Sequence, residues 1–411
     1  MCYRPRVIPT TVLRVIPTTE GRRNLAKNGT GVASAARFFV AARLGIVGVA
    51  ALLGMTGCAQ PLKPIFPPLT PPVCWPPAPM PARVQYVGQL RTSDDLQAPP
   101  KPFQLFANLL AGRRPPEKLL GPRAILALPE SELVWIADPG GRCLHRFDLR
   151  NRTYTKVLRM GAAPLLCPVG MCRGPDDSIY LCDSEAAAIY RVAAADGAWR
   201  ESLPLPEDVL RPVALHYDAQ ADELFVVDAS AHDIKVLDRD GRLRRTLGRR
   251  GQELGEFNFP CDLVKSGELL WVADTGNHRI QALTLAGVAV FTFGQAGDTP
   301  GDLAFPKSIA ADSDGHLYVV DARFENIQIF DQRGQLLLVI GDEGSGPGEF
   351  WLPGGICIDR NDRIWLCDVY NHRVQVFDYL GHPKSPTEES PPPTPYPQSP
   401  TSHPELPEDR A

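Results

Sequence analysis

A short apolar run that closes on an aspartate recurs six times along the chain: Leu133–Asp138, Ile179–Asp183, Leu224–Asp228, Leu269–Asp274, Leu317–Asp321 and Ile364–Asp368. The aspartates lie 45 to 47 residues apart. Three positions before each stands an aromatic residue: Trp135, Tyr180, Phe225, Trp271, Tyr318 and Trp365. Apolar runs of this length without polar alternation predict strands covered on both faces. Fifteen residues before Asp321 and Asp368, Pro306 and Pro353 open another apolar stretch. Proline is tolerated at a strand's first residue, where its missing N–H costs least. Downstream comes an alternating stretch, clearest in 279–281, 326–331 and 373–378, then a turn with Gly241, Gly287, Gly334 or Gly381. A fourth apolar stretch, such as Leu336–Ile340, follows the turn.

Four short antiparallel strands repeated six times predict an all-β, six-bladed β-propeller, in which blades bury one another's faces. A solenoid with the same repeat would need end caps, and the chain ends supply none. They point to ring closure instead. The sixth copy stops after three strands, at Tyr379–Gly381, whereas Val84–Gly88, ahead of the first copy, resembles the fourth strand Leu338–Gly341. Residues 83–90 are therefore expected to complete the last blade, a clasp that removes an open sheet edge. The expected propeller spans 83–382, with an insertion at 92–118 carrying a short helix over Phe103–Ala111.

Composition adds the flanks. Of 42 prolines, ten fall between Pro61 and Pro81 and ten between Pro383 and Pro407. Residues 58–82 are thus expected to be a semi-extended tether and 383–411 a disordered tail. Before the tether, Arg37 and Arg43 precede an apolar run ending at Cys58, too short and glycine-rich for a membrane span of about 20 residues but suited to a signal core. Residues 1–57 are read as a signal peptide with a long n-region, in which Arg-Val-Ile-Pro-Thr-Thr occurs twice. The formal charge is -4; removing that segment, with its eight Lys/Arg and one Glu, makes it -11. An acidic surface of this kind excludes nucleic acid as the expected partner.

Two resemblances carry further expectations. Met55-Thr56-Gly57-Cys58 resembles the lipobox of bacterial lipoproteins, which implies cleavage before Cys58 and fatty acylation (palmitate type) of that residue. The implied location is the bacterial cell envelope, lipid-anchored and periplasm-facing, at the outer membrane rather than the inner. The repeats resemble the NHL family of six-bladed propellers. Its signature Asp-x-x-Asn-His-Arg-Ile/Val-Gln is complete at Asp274–Gln281 and Asp368–Gln375 and partial around Asp228 and Asp321. A glycine-spaced linking motif occurs at Gly248–Phe257, Gly294–Leu303 and Gly341–Phe350.

Most signature residues are expected to be structural, the aspartates accepting turn N–H groups and the glutamines bridging strands. One face should nevertheless gather Arg249, Arg250, Phe257, Phe259, Phe350 and Trp351 with Asn277, His278, Arg279, Tyr370, Asn371, His372 and Arg373. Aromatic and arginine side chains together are typical of interface cores. A metal-dependent lyase or lactonase on this fold would need ligands converging on the channel. The innermost strand starts offer Asp262 and His216, whereas the matching places hold Ala124, Gly170, Ser308 and Gly355, too few donors for a metal shell. No cofactor is expected. Cys172/Cys182 and Cys357/Cys367 share spacing in blades two and six; they are either cross-strand disulfides or small buried residues, and Ala273 and Ala310 at matching places favour the second. The sequence as a whole is read as a monomeric, non-catalytic scaffold for an envelope protein. The competing readings are a metal-dependent enzyme and a small-ligand binder at the channel mouth.

Overall fold

Each aspartate-terminated run forms the second strand of a four-stranded antiparallel sheet in the computed structural model, which describes residues 62–98 and 115–381. Blade one runs from strand Ala124–Leu128 to strand Thr153–Val157 and blade two from Pro168–Arg173 to Trp199–Ser202. Blade three runs from Pro212–Asp218 to Leu243–Leu247, blade four from Asp262–Ser266 to Ala289–Phe293 and blade five from Pro306–Ala311 to Leu336–Ile340. Blade six joins strands Pro353–Ile358, Arg363–Asp368 and Arg373–Tyr379 to strand Val84–Leu90 from the other end of the chain. The clasp is antiparallel, with Val84 opposite Tyr379 and Leu90 opposite Val374. The first strands form the inner wall, each contacting the next and Pro353–Ile358 returning to Ala124–Leu128.

Six apolar cores hold the ring, one at every blade interface, including the seam between blades six and one. The aromatics of the second strands fill them: Trp135, Tyr180, Phe225, Trp271, Tyr318 and Trp365 are all buried, each worth about 2–3 kcal/mol of apolar transfer. Because both faces of every second strand are covered, the six aspartates are fully buried as well. At the inner wall the backbones come close. A Cβ on Gly170 would lie 2.6 Å from the Val213 carbonyl oxygen of the next blade, and one on Gly355 would lie 2.5 Å from that of Arg123. Glycine here is a requirement of ring closure.

The tether is partly anchored. Cys74–Trp75 adds a fifth strand to blade six, outside the clasp. Trp75 packs edge-on against Phe377 at 5.7 Å, and Phe66 against Trp365 at 6.2 Å. Apolar residues among the prolines explain this departure from the extended tether expected above, since they bury against the sheet. The insertion is pinched at its base, where Thr92 bridges Lys118 and the Ser93 N–H donates to the Glu117 carbonyl at 2.9 Å. The expected helix over Phe103–Ala111, the signal segment, Cys58 and the proline-rich tail lie outside the described residues. Among the described residues no helix is long and apolar enough to cross a membrane.

Candidate binding face and channel

Antiparallel strands put the starts of first and third strands and the ends of second and fourth strands on one side of the ring. That side carries the signature loops, the linking loops and one mouth of the channel. In blade six the Asp368 carboxylate accepts from the Trp351 N–H at 2.8 Å, Asn371 Nδ2 at 2.9 Å, Arg373 Nε at 2.6 Å and Gln375 Nε2 at 3.1 Å. The remaining Arg373 N–H groups reach Gln89 and the carbonyls of Ser345, Gly346 and Glu349. Asp274 gathers Asn258, Asn277, Arg279 and Gln281 in the same way in blade four. These residues tie the signature loop to the linking loop of the same blade; the aspartates accept loop N–H groups as expected, but Gln281 and Gln375 bond to the linking loop rather than bridging strands.

The histidine position of the signature ties a blade to its successor. It is left-handed in all six blades, at Arg142, Ala187, His232, His278, Glu325 and His372, with φ between 45 and 60°. His232 Nδ1 accepts from the Phe259 N–H at 3.0 Å, His278 Nδ1–H donates to the Ala304 carbonyl at 2.8 Å, and Glu325 accepts from the Leu352 N–H. Three successive blades thus use one register position as an interblade strut.

This bonding divides the expected partner face. Phe257 and Phe350 are fully buried and Arg373 is 2% exposed, so these three belong to the interior. Phe257 and Phe350 point into the blade cores and Arg373 into the polar cluster around Asp368, which a pattern of residue types alone does not reveal. Asn277, Arg279 and Asn371 spend their donors on the linking loops, and His278 spends Nδ1 on blade five. Arg249, which pairs with Glu256 at 2.9 Å, remains on the surface with Arg250, Trp351, Tyr370 and His372. Trp351 and Tyr370 meet edge-on at 5.6 Å and are 52% and 54% exposed. Phe259 and Phe305 join them, exposed immediately before the first strands of blades four and five. Phe305 escaped the sequence reading, although the matched dipeptides Phe259-Pro260 and Phe305-Pro306 signal it.

The channel is narrow, with a cavity of about 60 Å³ lined by residues from all six first strands and the positions just before them. Asp262 lines it; His216 does not, because Ala214 occupies the matching place in blade three. Burial raises the Asp262 pKa, and its oxygens accept from Ser308 Oγ and from the Leu263 and Ile309 N–H groups. Around it stand Arg123 and Lys307 rather than further carboxylates. One committed carboxylate beside two basic side chains does not fit a divalent cation.

A second cluster, unforeseen from spacing, lies inside blade one. Cys143 and His145 replace the signature arginine and glutamine, and His145 Nε2 lies 3.1 Å from Asp138 Oδ2 and 3.2 Å from Cys143 Sγ. The Tyr154 hydroxyl is 2.7 Å from His145 Nδ1. Although Asp, Cys and His here could face a metal, the carboxylate already takes the Leu120 and Gly141 N–H groups, at 2.6 and 2.8 Å. Burial, reinforced by the Asp138 charge, pushes the Cys143 thiol up to about 12, so it stays protonated, whereas a metal needs thiolate. His145 takes over the glutamine's contact with the aspartate, while its other nitrogen goes to Tyr154 rather than to the linking loop.

No disulfide joins Cys172 to Cys182 or Cys357 to Cys367. Cys172 faces Tyr180 and Cys182 faces Gly170 across the ladder, and Cys357 faces Trp365. The partners are thus diagonal, about 7–8 Å apart in such ladders, beyond disulfide reach without backbone movement. The disulfide alternative therefore gives way to small buried side chains. In protein cleaved before Cys58, whose own thiol would carry the lipid, titration of the unreduced, denatured chain with a thiol reagent is expected to find the other eight cysteines; a shortfall of two or four would restore the bridges.

A family described as 6-bladed beta-propeller matches residues 307–388, in blades five and six and just beyond. No curated protein matches the sequence. Among solved structures, a Bacteroides thetaiotaomicron protein of unknown function is similar at a TM-score of 0.53 and 16% identity, over 64% of this chain and 70% of that one. A streptogramin B lyase is similar at 0.50 and 14% identity, over 63% and 93% of the two chains. A Xanthomonas campestris gluconolactonase stands at 0.49 and 17%, over 62% and 86%. The chain is a six-bladed β-propeller. At such identities the likeness is one of fold, and a propeller's function is carried by its sites.

Proposed function

We propose that this NHL-like propeller is a lipid-anchored, periplasm-facing scaffold that binds another envelope protein through the face around its channel mouth, without chemistry of its own. The observation that carries the reading is the group of exposed aromatics there: Phe259, Phe305, Trp351 and Tyr370 are 43–54% exposed on one face. Leu120 and Leu210, at the places matching Trp351, extend the apolar rim into blades one and three. Aromatic anchors with a polar and arginine rim are what a protein interface concentrates. The lipobox-like sequence ending at Cys58 supports the anchor, and the anchored proline segment would hold the propeller near the membrane surface.

The test is site-specific photocrosslinking in intact cells. A crosslinker at Phe305 or Trp351 is expected to capture one discrete protein, whereas one at Leu337, on the outer strand of blade five, captures none. Absence of a product from both mouth positions would overturn the proposal.

A further inference from the structure

The channel mouth holds two basic side chains that the fold does not use. Arg123 precedes the first strand of blade one, and Lys307 lies in the first strand of blade five; both line the cavity. Blade six stands between them and contributes Gly354 and Gly355 at the matching places, so no side chain is interposed there; a Cβ on Gly355 would lie 2.5 Å from the Arg123 carbonyl oxygen. The Arg123 guanidinium lies close to these glycines: Nη1 is 3.5 Å from where a Gly354 Cβ would stand. No hydrogen bond or ion pair joins either basic side chain to another described residue. The anions nearby are engaged, Asp262 by Ser308, Leu263 and Ile309, and Glu325 by the Leu352 N–H.

Unpaired cations in a confined site are costly. The groups facing Lys307 are Arg123 of blade one, Glu325 of blade five, Cys261 of blade four and Cys367 of blade six. Burial, reinforced by Arg123, brings the Lys307 ammonium down to about 7. A compact anion between the two would relieve this cost. The rim defines the rest of the ligand, since Phe305 lies two residues before Lys307 and Phe259 two residues before Cys261, both exposed.

We infer that the channel mouth is a binding site for a carboxylate borne on an apolar or aromatic group, held between Arg123 and Lys307 with its apolar part against Phe259 and Phe305. A carboxylate suits the planar guanidinium fork, fits a cavity of about 60 Å³ and brings one negative charge toward Asp262, where a phosphate dianion would bring two. The inference stands independently of the partner protein proposed above. Its ligand is either a small free acid or the terminal carboxylate of a chain, and the two sources share this chemistry.

Calorimetric titration of the full chain with 3-phenylpropionate tests it, with acetate and inorganic phosphate alongside. A dissociation constant on the order of 0.1–1 mM is expected for phenylpropionate, with acetate and phosphate at least about tenfold weaker. Repeating the titration at pH 7 in buffers of different ionisation enthalpy should reveal uptake of about half a proton per bound acid, as Lys307 charges. Lys307→Gln and Arg123→Gln should each weaken binding about tenfold or more. Lys307→Arg, which keeps the charge but does not titrate, should bind without proton uptake, and its unchanged melting transition would show that the fold survives. A phenylalanine-ended tetrapeptide and its C-terminal amide distinguish the sources: the free-acid peptide binds better than phenylpropionate if the ligand is a chain terminus, and worse if it is a small acid. Failure of every carboxylate to bind, preference for phosphate, or binding indifferent to both substitutions would overturn the inference.

Discussion

Asp368→Ala is expected to lower the unfolding free energy by about 3–5 kcal/mol, read as a fall in the urea midpoint at an unchanged slope. The carboxylate is fully buried and holds together four partners from two loops and the third strand: Trp351, Asn371, Arg373 and Gln375. Its loss leaves the Arg373 guanidinium, 2% exposed, without an anion in the protein interior. Breaking one side of such a pair costs more than the pair contributes, because the other charge stays buried and uncompensated. Arg373→Met in the same background should recover part of the loss, as it removes the stranded charge. If Asp368→Ala alone shifts the transition by less than 1 kcal/mol, the carboxylate is not the organising centre of blade six.

Lys307→Met is expected to act in the opposite direction. The Lys307 pKa is about 7 in the folded chain against the ordinary 10.5 of a lysine, so the unfolded chain binds the extra proton across the interval. From this group alone, stability rises as pH rises from about 7 to 10.5, and the penalty is fully present below about pH 7. Methionine removes it, leaving a stem of similar length in the same wall. The gain at pH 6 should be about 2–4 kcal/mol, discounted for the side chain's residual contact with solvent, and should shrink towards pH 10. Equal effects at both pH values would mean that Lys307 does not titrate in this interval. A substitution that stabilises the ring and abolishes carboxylate binding would be a trade of stability for function at one residue.

The two complete signatures, at Asp274–Gln281 and Asp368–Gln375, were legible as structure because their partners lie within the same blade, and a fixed register places them alike. The clasp was legible for the same reason, since a strand missing at one end of a periodic chain and spare at the other has one place to go. The partner face was only partly legible. Phe257 and Phe259 are two residues apart, yet the first is fully buried and the second 48% exposed. Their difference arises where the linking loop turns under the neighbouring blade. Likewise the register across the ladder, not the shared spacing of the cysteines, keeps Cys172 from Cys182.

By itself the sequence determined the number of blades, the order of strands and the closure of the ring, because these follow from the period of apolar runs and from the turns between them. Only the tertiary structure decided what the ring encloses. Arg123 and Lys307 are 184 positions apart and belong to no common motif. They face one cavity because blade one closes against blade six and the glycines of blade six leave the wall between them bare. A repeat pattern records what each blade shares with the others; a binding site on a ring is made where the blades differ and is assembled only when the ring is shut.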